Sequence, residues 1–346
     1  MKKRTLSNAL KLMSKNDALN LKENNVGTIT IIVRSPKGGC GKTVTTVGTV
    51  HALASMGVPL NIVYVTADVN EGAIRLFTDE YCETQFPKNV CFKSIAIKDA
   101  ATKSASKINF EISRQLLADE RLEDYIKSKG IKIDEDLMED TFYLENDGEV
   151  QPVDVLLYDV AGGINQIETD KVSRDSLDRF MTVELANDID SKNNAISTIR
   201  EMAMEEIEYT KRYLTEEGYM VEKMTPEQIQ TVKEQIGFTY TYVYSKNYNG
   251  KLSASDPRSS LKLIKEIEEE FNIKVNFLIQ PYVRFNELKK RNLAFTITQE
   301  NAKEQGHKIG RLKTVDKHPE YQEFLKDMVK CVFDDYTSTK YELMVK

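Results

Sequence analysis

A β-branched apolar run, 28-TITIIVRS-35, stops at a glycine-rich stretch, 36-PKGGCGKT-43, and a helical pattern, 43-TVTTVGTVHALASMG-57, starts directly behind it. This succession constrains the fold more than any other feature of the chain. β-branched residues suit a buried strand, and Gly57 is a normal helix breaker. Glycines at 38, 39 and 41 leave the backbone bare, so several N–H groups can face one ligand. The helix behind them adds its positive end, and together they suit a phosphate. In such a cradle Lys42 reaches the β- and γ-phosphates of a nucleotide, and Thr43 offers its hydroxyl to Mg²⁺. The general GxxxxGK[ST] spacing would place its first glycine at position 36, where the chain has Pro36. What fits instead is Lys-Gly-Gly-x-Gly-Lys-Thr, from Lys37 to Thr43.

Further strands read at 60-LNIVYVT-66, 89-NVCFKSIAI-97, 153-VDVLLYD-159, 179-RFMTVEL-185, 238-FTYTYVYS-245 and 273-IKVNFLIQ-280. Helical patterns fall at about 190–217, 225–236, 258–271 and 318–335, with an acidic, mostly helical stretch reaching to about 140. Strands alternating with helices predict an α/β fold, a doubly wound and mostly parallel sheet covered by helices on both faces. Ligands of such sheets bind at the carboxyl ends of strands, and Lys37, Asp68, Asp159 and Asn247 all stand at such ends. Residues 1–25 read as a basic amphipathic arm in which Leu6, Leu10 and Met13 share one side. Residues 26–346 read as a single domain with helical insertions around 100–150 and 200–236.

Composition narrows the function classes. Apolar residues are 40% and charged residues 29% of the 346, as in an ordinary globular protein. No apolar run reaches the roughly 18 residues of a membrane span, and the first twenty residues lack the apolar core of a secretory signal. The four cysteines form no CxxC pair and none lies near the three histidines. A zinc site or disulfide framework is therefore not expected, and a reducing cytoplasm is. The formal charge of −6 excludes an overall basic nucleic-acid binder, but the charge is uneven. Residues 110–150 hold thirteen acids and five bases, and residues 282–317 hold nine bases and four acids. A local basic face is compatible with that separation.

With these motifs the sequence resembles the ParA/MinD superfamily of deviant Walker A ATPases, a branch of the P-loop NTPases. The family carries a signature lysine where this chain has Lys37. The resemblance implies a nucleotide cradle of Lys37, Gly38, Gly39, Cys40, Gly41, Lys42, Thr43 and Val44. It implies that Asp68, in 66-TAD-68, orients the attacking water, and that Mg²⁺ is supported by Thr43, Asp68 and Asp159, the last in 153-VDVLLYDVAGG-163. It sets Asn247 and Pro281, in 240-YTYVYSKN-247 and 279-IQP-281, beside the adenine. Lys37 is then explained as a residue for the neighbouring subunit. Two protomers sandwich ATP, and each Lys37 reaches the other's phosphates, as an arginine finger does in trans. The implied catalytic set is Lys37, Lys42 and Asp68, and the implied cofactors are ATP and Mg²⁺. The chain departs from the family pattern at Thr66, where an aspartate is usual, and at Val44, where a hydroxyl residue is usual. Cys40 stands where valine is common. It reads as a small packed residue, with a redox-sensitive loop as the alternative.

The implied activity is slow, partner-stimulated ATP hydrolysis by an ATP-dependent homodimer that partitions DNA or positions another cargo. Nonspecific DNA binding would use Lys289, Lys290, Arg291, Lys308, Arg311 and Lys313, and would make the cytoplasmic protein nucleoid-associated. An accessory protein, ParB-like or a cargo adaptor, would meet the element at 218–237 or the acidic region 110–150. A MinD-like membrane-cycling ATPase is an alternative, but the mixed-charge end 334-DDYTSTKYELMVK-346 is a poor membrane helix. A metabolic enzyme of the amide-ligase or dethiobiotin-synthase kind is another; such enzymes generally lack the role of Lys37.

Overall fold

The computed structural model describes residues 28–35, 40–66, 77, 86–98, 103, 105–117, 124, 142–146, 148–159, 179–216, 218–236, 238–245, 255–282, 299–304 and 315–333. The strands are β1 (Ile29–Arg34), β2 (Leu60–Thr66), β3 (Val90–Ala96), β4 (Tyr143–Asn146), β5 (Glu149–Pro152), β6 (Val155–Asp159), β7 (Arg179–Ala186), β8 (Phe238–Ser245) and β9 (Val275–Gln280). The helices are α1 (Lys42–Ala54), α2 (Ala105–Leu116), α3 (Ile189–Glu216), α4 (Pro226–Ile236), α5 (Ser255–Phe271), α6 (Gln299–Glu304) and α7 (Pro319–Val332).

Seven strands form one sheet in the order β3-β2-β6-β1-β7-β8-β9, and every pairing within it is parallel. The fold is thus the doubly wound α/β type that the alternation predicts. Central strands of such a sheet are covered on both faces and must be apolar throughout. β1 and β6 are buried along their whole length. Side chains alternate between the two faces along each strand, and β8 shows which helices cover which. Tyr240 donates to Glu206 of α3 at 2.6 Å, and the Tyr242 hydroxyl meets Ser260 of α5 at 3.2 Å. Ser245, of the opposite parity, faces Gly41 at the start of α1. So α3 and α5 cover one face, while α1 and α7, which pack on each other, cover the other. α7 is anchored there by Phe324, Leu325 and Met328, all fully buried. Each such burial is worth about 1.5–3 kcal/mol.

From β1 the chain winds outward through β2 to β3 and returns through β6 to the side of β1. It then crosses to β7 and winds outward the other way through β8 and β9. The order therefore reverses at β1, and the crevice at the carboxyl end of β1 is where such sheets bind ligands.

The strands fall where the sequence predicts them, within a residue or two of the expected ends. α1 ends at Ala54 and Gly57 takes a positive φ of 75°, as a breaker should. The short helix α6 and the β4–β5 pair are not anticipated. β4 and β5 form a separate antiparallel pair, with Asn146 opposite Glu149, at the end of the helical insertion expected around 100–150. The arm 1–25 and most of 118–141 lie outside the described residues.

Candidate functional site

Ser35, at the exit of β1, is buried, and α1 begins at Lys42. Gly41 caps that helix in the left-handed region, at φ 95° and ψ 12°. Its carbonyl accepts the Thr45 N–H at 2.9 Å and the Thr45 hydroxyl at 3.1 Å. A Cβ at Gly41 would lie 2.8 Å from Gln280 Oε1 and 3.4 Å from Ser245 Oγ. Glycine is required here on two counts, the left-handed φ and the close approach. The first turn of α1 has no acidic residue and no side-chain cap. Its N–H groups and positive end are left for another acceptor, which fits an anion. Lys42 and Thr43 lie in this turn, half-buried. Val44 follows, and its carbonyl accepts the Tyr321 hydroxyl of α7 at 3.1 Å.

Asp159 ends β6, opposite Val33 of β1 and Thr66 of β2 in the two registers. It is buried, and its Oδ2 accepts the Tyr64 hydroxyl at 2.9 Å. A buried carboxylate at a strand end, oriented by a donor, is a suitable partner for a cation held against phosphates. Among the described residues no cluster of three or more His, Cys, Asp and Glu side chains could hold a metal by itself. On the other face, burial and secondarily the Glu111 carboxylate push the Tyr158 phenol above its ordinary range, so it is neutral at physiological pH.

Cys40 is buried, and its thiol donates to Asn187 Oδ1 at 3.3 Å. Asn187 lies at the turn into α3, where Asp188 accepts the Ser191 N–H at 2.9 Å and Ser191 Oγ accepts the Asp188 N–H at 3.1 Å. Cys40 thus packs the loop onto the β7–α3 junction. Pro281 directly follows β9. The fold brings Cys40, Gly41, Lys42, Thr43, Val44 and Asp159 to the carboxyl edge of the central strands, with Pro281 at the same edge of β9. Lys37, Gly38, Gly39, Asp68 and Asn247 lie outside the described residues, as do Lys289, Lys290, Arg291, Lys308, Arg311 and Lys313.

Sequence reasoning passed over two neighbours of the loop. Arg34, the last residue of β1, is fully buried and ion-paired with Glu184 of β7. A charged residue closing an otherwise apolar run was the available signal. The other is the Ser245–Gln280 pair, in which the serine hydroxyl donates to Gln280 Oε1 at 2.6 Å. No helix among the described residues is long and apolar enough to cross a membrane.

No protein-family model and no curated protein matches this chain. Solved structures do. A structural-genomics protein from Corynebacterium diphtheriae is similar at 13% identity and a TM-score of 0.41, over 78% of this chain and 97% of that one. The ATP complex of a Cyanothece McdA variant is similar at 12% identity and a TM-score of 0.40, over 90% of this chain and 99% of that one. A chain of the Aquifex aeolicus MinC:MinD cell division protein complex is similar at 14% identity and a TM-score of 0.34, over 92% of this chain and 96% of that one.

Proposed function

We propose that this protein is an ATPase of the ParA/MinD type, which dimerises around ATP and hydrolyses it to drive partition of DNA or positioning of another cargo. One observation carries the reading. The Lys-Gly-Gly-Cys-Gly-Lys-Thr string lies on the β1–α1 connection at the strand where the sheet order reverses, with Asp159 at the end of the adjacent strand.

The chemistry follows from those parts. Bare N–H groups and the uncapped start of α1 bind the phosphates, and Lys42 adds a positive charge. Thr43 and Asp159 would hold Mg²⁺, which neutralises charge on the β- and γ-phosphates. Asp68, two residues beyond β2, orients the attacking water. Lys37 supplies charge to the partner protomer's phosphates where negative charge builds up. ATP then acts as the dimerisation ligand, and hydrolysis as the timer of release. Charge at 289–313 would hold DNA phosphates without sequence preference, and an accessory protein would accelerate hydrolysis.

Light scattering with ATP and Mg²⁺ tests this on the native chain, Asp68→Ala and Lys37→Ala, followed by DNA binding across a salt series. The expected result is an ATP-dependent dimer, trapped by Asp68→Ala and abolished by Lys37→Ala, that holds unrelated DNA at low salt. ATP binding without a dimer, with a silent Lys37→Ala, overturns the sandwich-dimer reading.

A further inference from the structure

The carboxyl end of β9 carries a buried polar side chain with an unmet donor. Gln280 is only 4% exposed. Its Oε1 accepts the Ser245 hydroxyl at 2.6 Å and lies 2.8 Å from where a Cβ on Gly41 would stand. Its Nε2 is buried and has no hydrogen-bond partner. An amide nitrogen carries two hydrogens to donate, and a buried donor left unmet is costly and rare. Thr30, Tyr158, Thr241 and Asn276 also bury an unpaired oxygen; Thr30, Thr241 and Asn276 lie within or near the start of their strands, and Tyr158, next to the end of β6, points to the face opposite Asp159. Gln280 is the last residue of β9, at the edge where this sheet type binds ligands, and it touches the last glycine of the phosphate loop. Ser245 engages the oxygen of the amide, so the nitrogen is the end left for another molecule.

We propose that Gln280 is a nucleotide-contacting residue whose Nε2 donates to an oxygen or nitrogen acceptor of the nucleotide in the cradle. The proposal rests on the ATPase reading above. It assigns a side chain of β9 to the ligand and gives Ser245 the task of orienting it. It also makes a thermodynamic demand. The unmet donor weakens the empty protein and strengthens the occupied one, so apolar replacement acts oppositely on the two states.

The test is isothermal titration with ATP–Mg²⁺ and with inorganic tripolyphosphate, alongside thermal melting without ligand. In the double variant Ser245→Ala with Gln280→Met, both hydrogen-bonding partners are replaced by apolar groups of similar shape. Its ligand-free melting temperature is expected to equal or exceed that of the native chain, while its ATP affinity falls about ten-fold. Gln280→Glu keeps an acceptor for Ser245 and replaces the donor by a carboxylate; it is expected to lose more affinity, and it carries the test if the double variant fails to fold. Loss of both ligands assigns the contact to the phosphate chain, and loss of ATP alone assigns it to the nucleoside. Native ATP affinity in Gln280→Glu, or a lower melting temperature with native affinity in the double variant, overturns the proposal and leaves the ATPase reading standing. A native chain that binds no ATP overturns both.

Discussion

The Arg34–Glu184 pair gives the sharpest energetic test of the sheet's centre. The two residues are opposite each other in the register of β1 and β7, with side chains 0% and 2% exposed. Arg34 Nε donates to Glu184 Oε1 at 2.6 Å, and its Nη2 donates to Thr182 Oγ1 at 3.2 Å. Thr182 in turn donates to Glu184 Oε1 at 2.9 Å. Removing one member strands a buried charge, which costs about 3–5 kcal/mol. Against a typical total stability of about 5–15 kcal/mol, Arg34→Met or Glu184→Leu alone should leave a marginal protein. Replacing both removes the charges together, and such swaps are often neutral or stabilising. The double variant should therefore recover most of the loss, with a coupling energy of about 3 kcal/mol or more. Urea titrations of the four proteins, followed by circular dichroism, measure it. A double variant that loses the sum of the two singles would refute the reasoning, since the two side chains would then act independently. The exposed Arg200–Glu270 pair, 2.9 Å apart with side chains 47% and 48% exposed, is the internal control. Solvent screening should hold the cost of Arg200→Ala below about 1 kcal/mol.

Three further outcomes follow from the same geometry. Gly41→Ala should abolish ATP binding and lower stability by at least about 1 kcal/mol, because a Cβ would meet Gln280 and the left-handed φ is strained; titration and urea unfolding read the two losses, and a variant that still binds ATP normally refutes it. Tyr64→Phe removes the donor that holds Asp159; it should cost about 1 kcal/mol and raise the Mg²⁺ concentration needed for half-maximal ATP hydrolysis severalfold, and an unchanged Mg²⁺ titration would count against the role of Asp159. Tyr158 bears on alkaline stability. Its phenol is raised in the folded state by burial first and Glu111 second, so its contribution is intact below the ordinary phenol range near 10 and is lost as pH climbs from there toward the raised value. Tyr158→Phe should melt at the native temperature or above at pH 8 and lose less stability than the native chain between pH 9 and 11; parallel pH curves would contradict this.

What could be read from the sequence is what a single segment encodes. The seven sheet strands are compact β-branched or aromatic runs, and the glycine loop announces its chemistry through residues within one turn of each other. The β4–β5 pair had a local signal too, Asp-Gly at 147–148 of the sequence, and Gly148 takes a φ of 79°. Arg34 and Glu184 are 150 positions apart, and Ser245 and Gln280 are 35 apart. Nothing local to either member names the other.

Strand order decides those pairings, and periodicity is silent about order. The same seven runs could be laid side by side in many sequences of neighbours without changing one apolar stripe. Inserting β6 between β2 and β1 sets Asp159 opposite Val33, one strand from the phosphate loop, and brings Tyr64 of β2 within reach of its carboxylate. An edge position for β6 would leave the same Asp159 at a strand end but with no loop beside it. Likewise, β8 and β9 matter to the loop because the winding reverses at β1 and lays their carboxyl ends toward Gly41. In the proposed reading the motif supplies the chemistry of the cradle. The winding selects which distant carboxylate, hydroxyl and amide surround it, and substitutions at those distant positions are where the fold and the proposed activity can be tested apart.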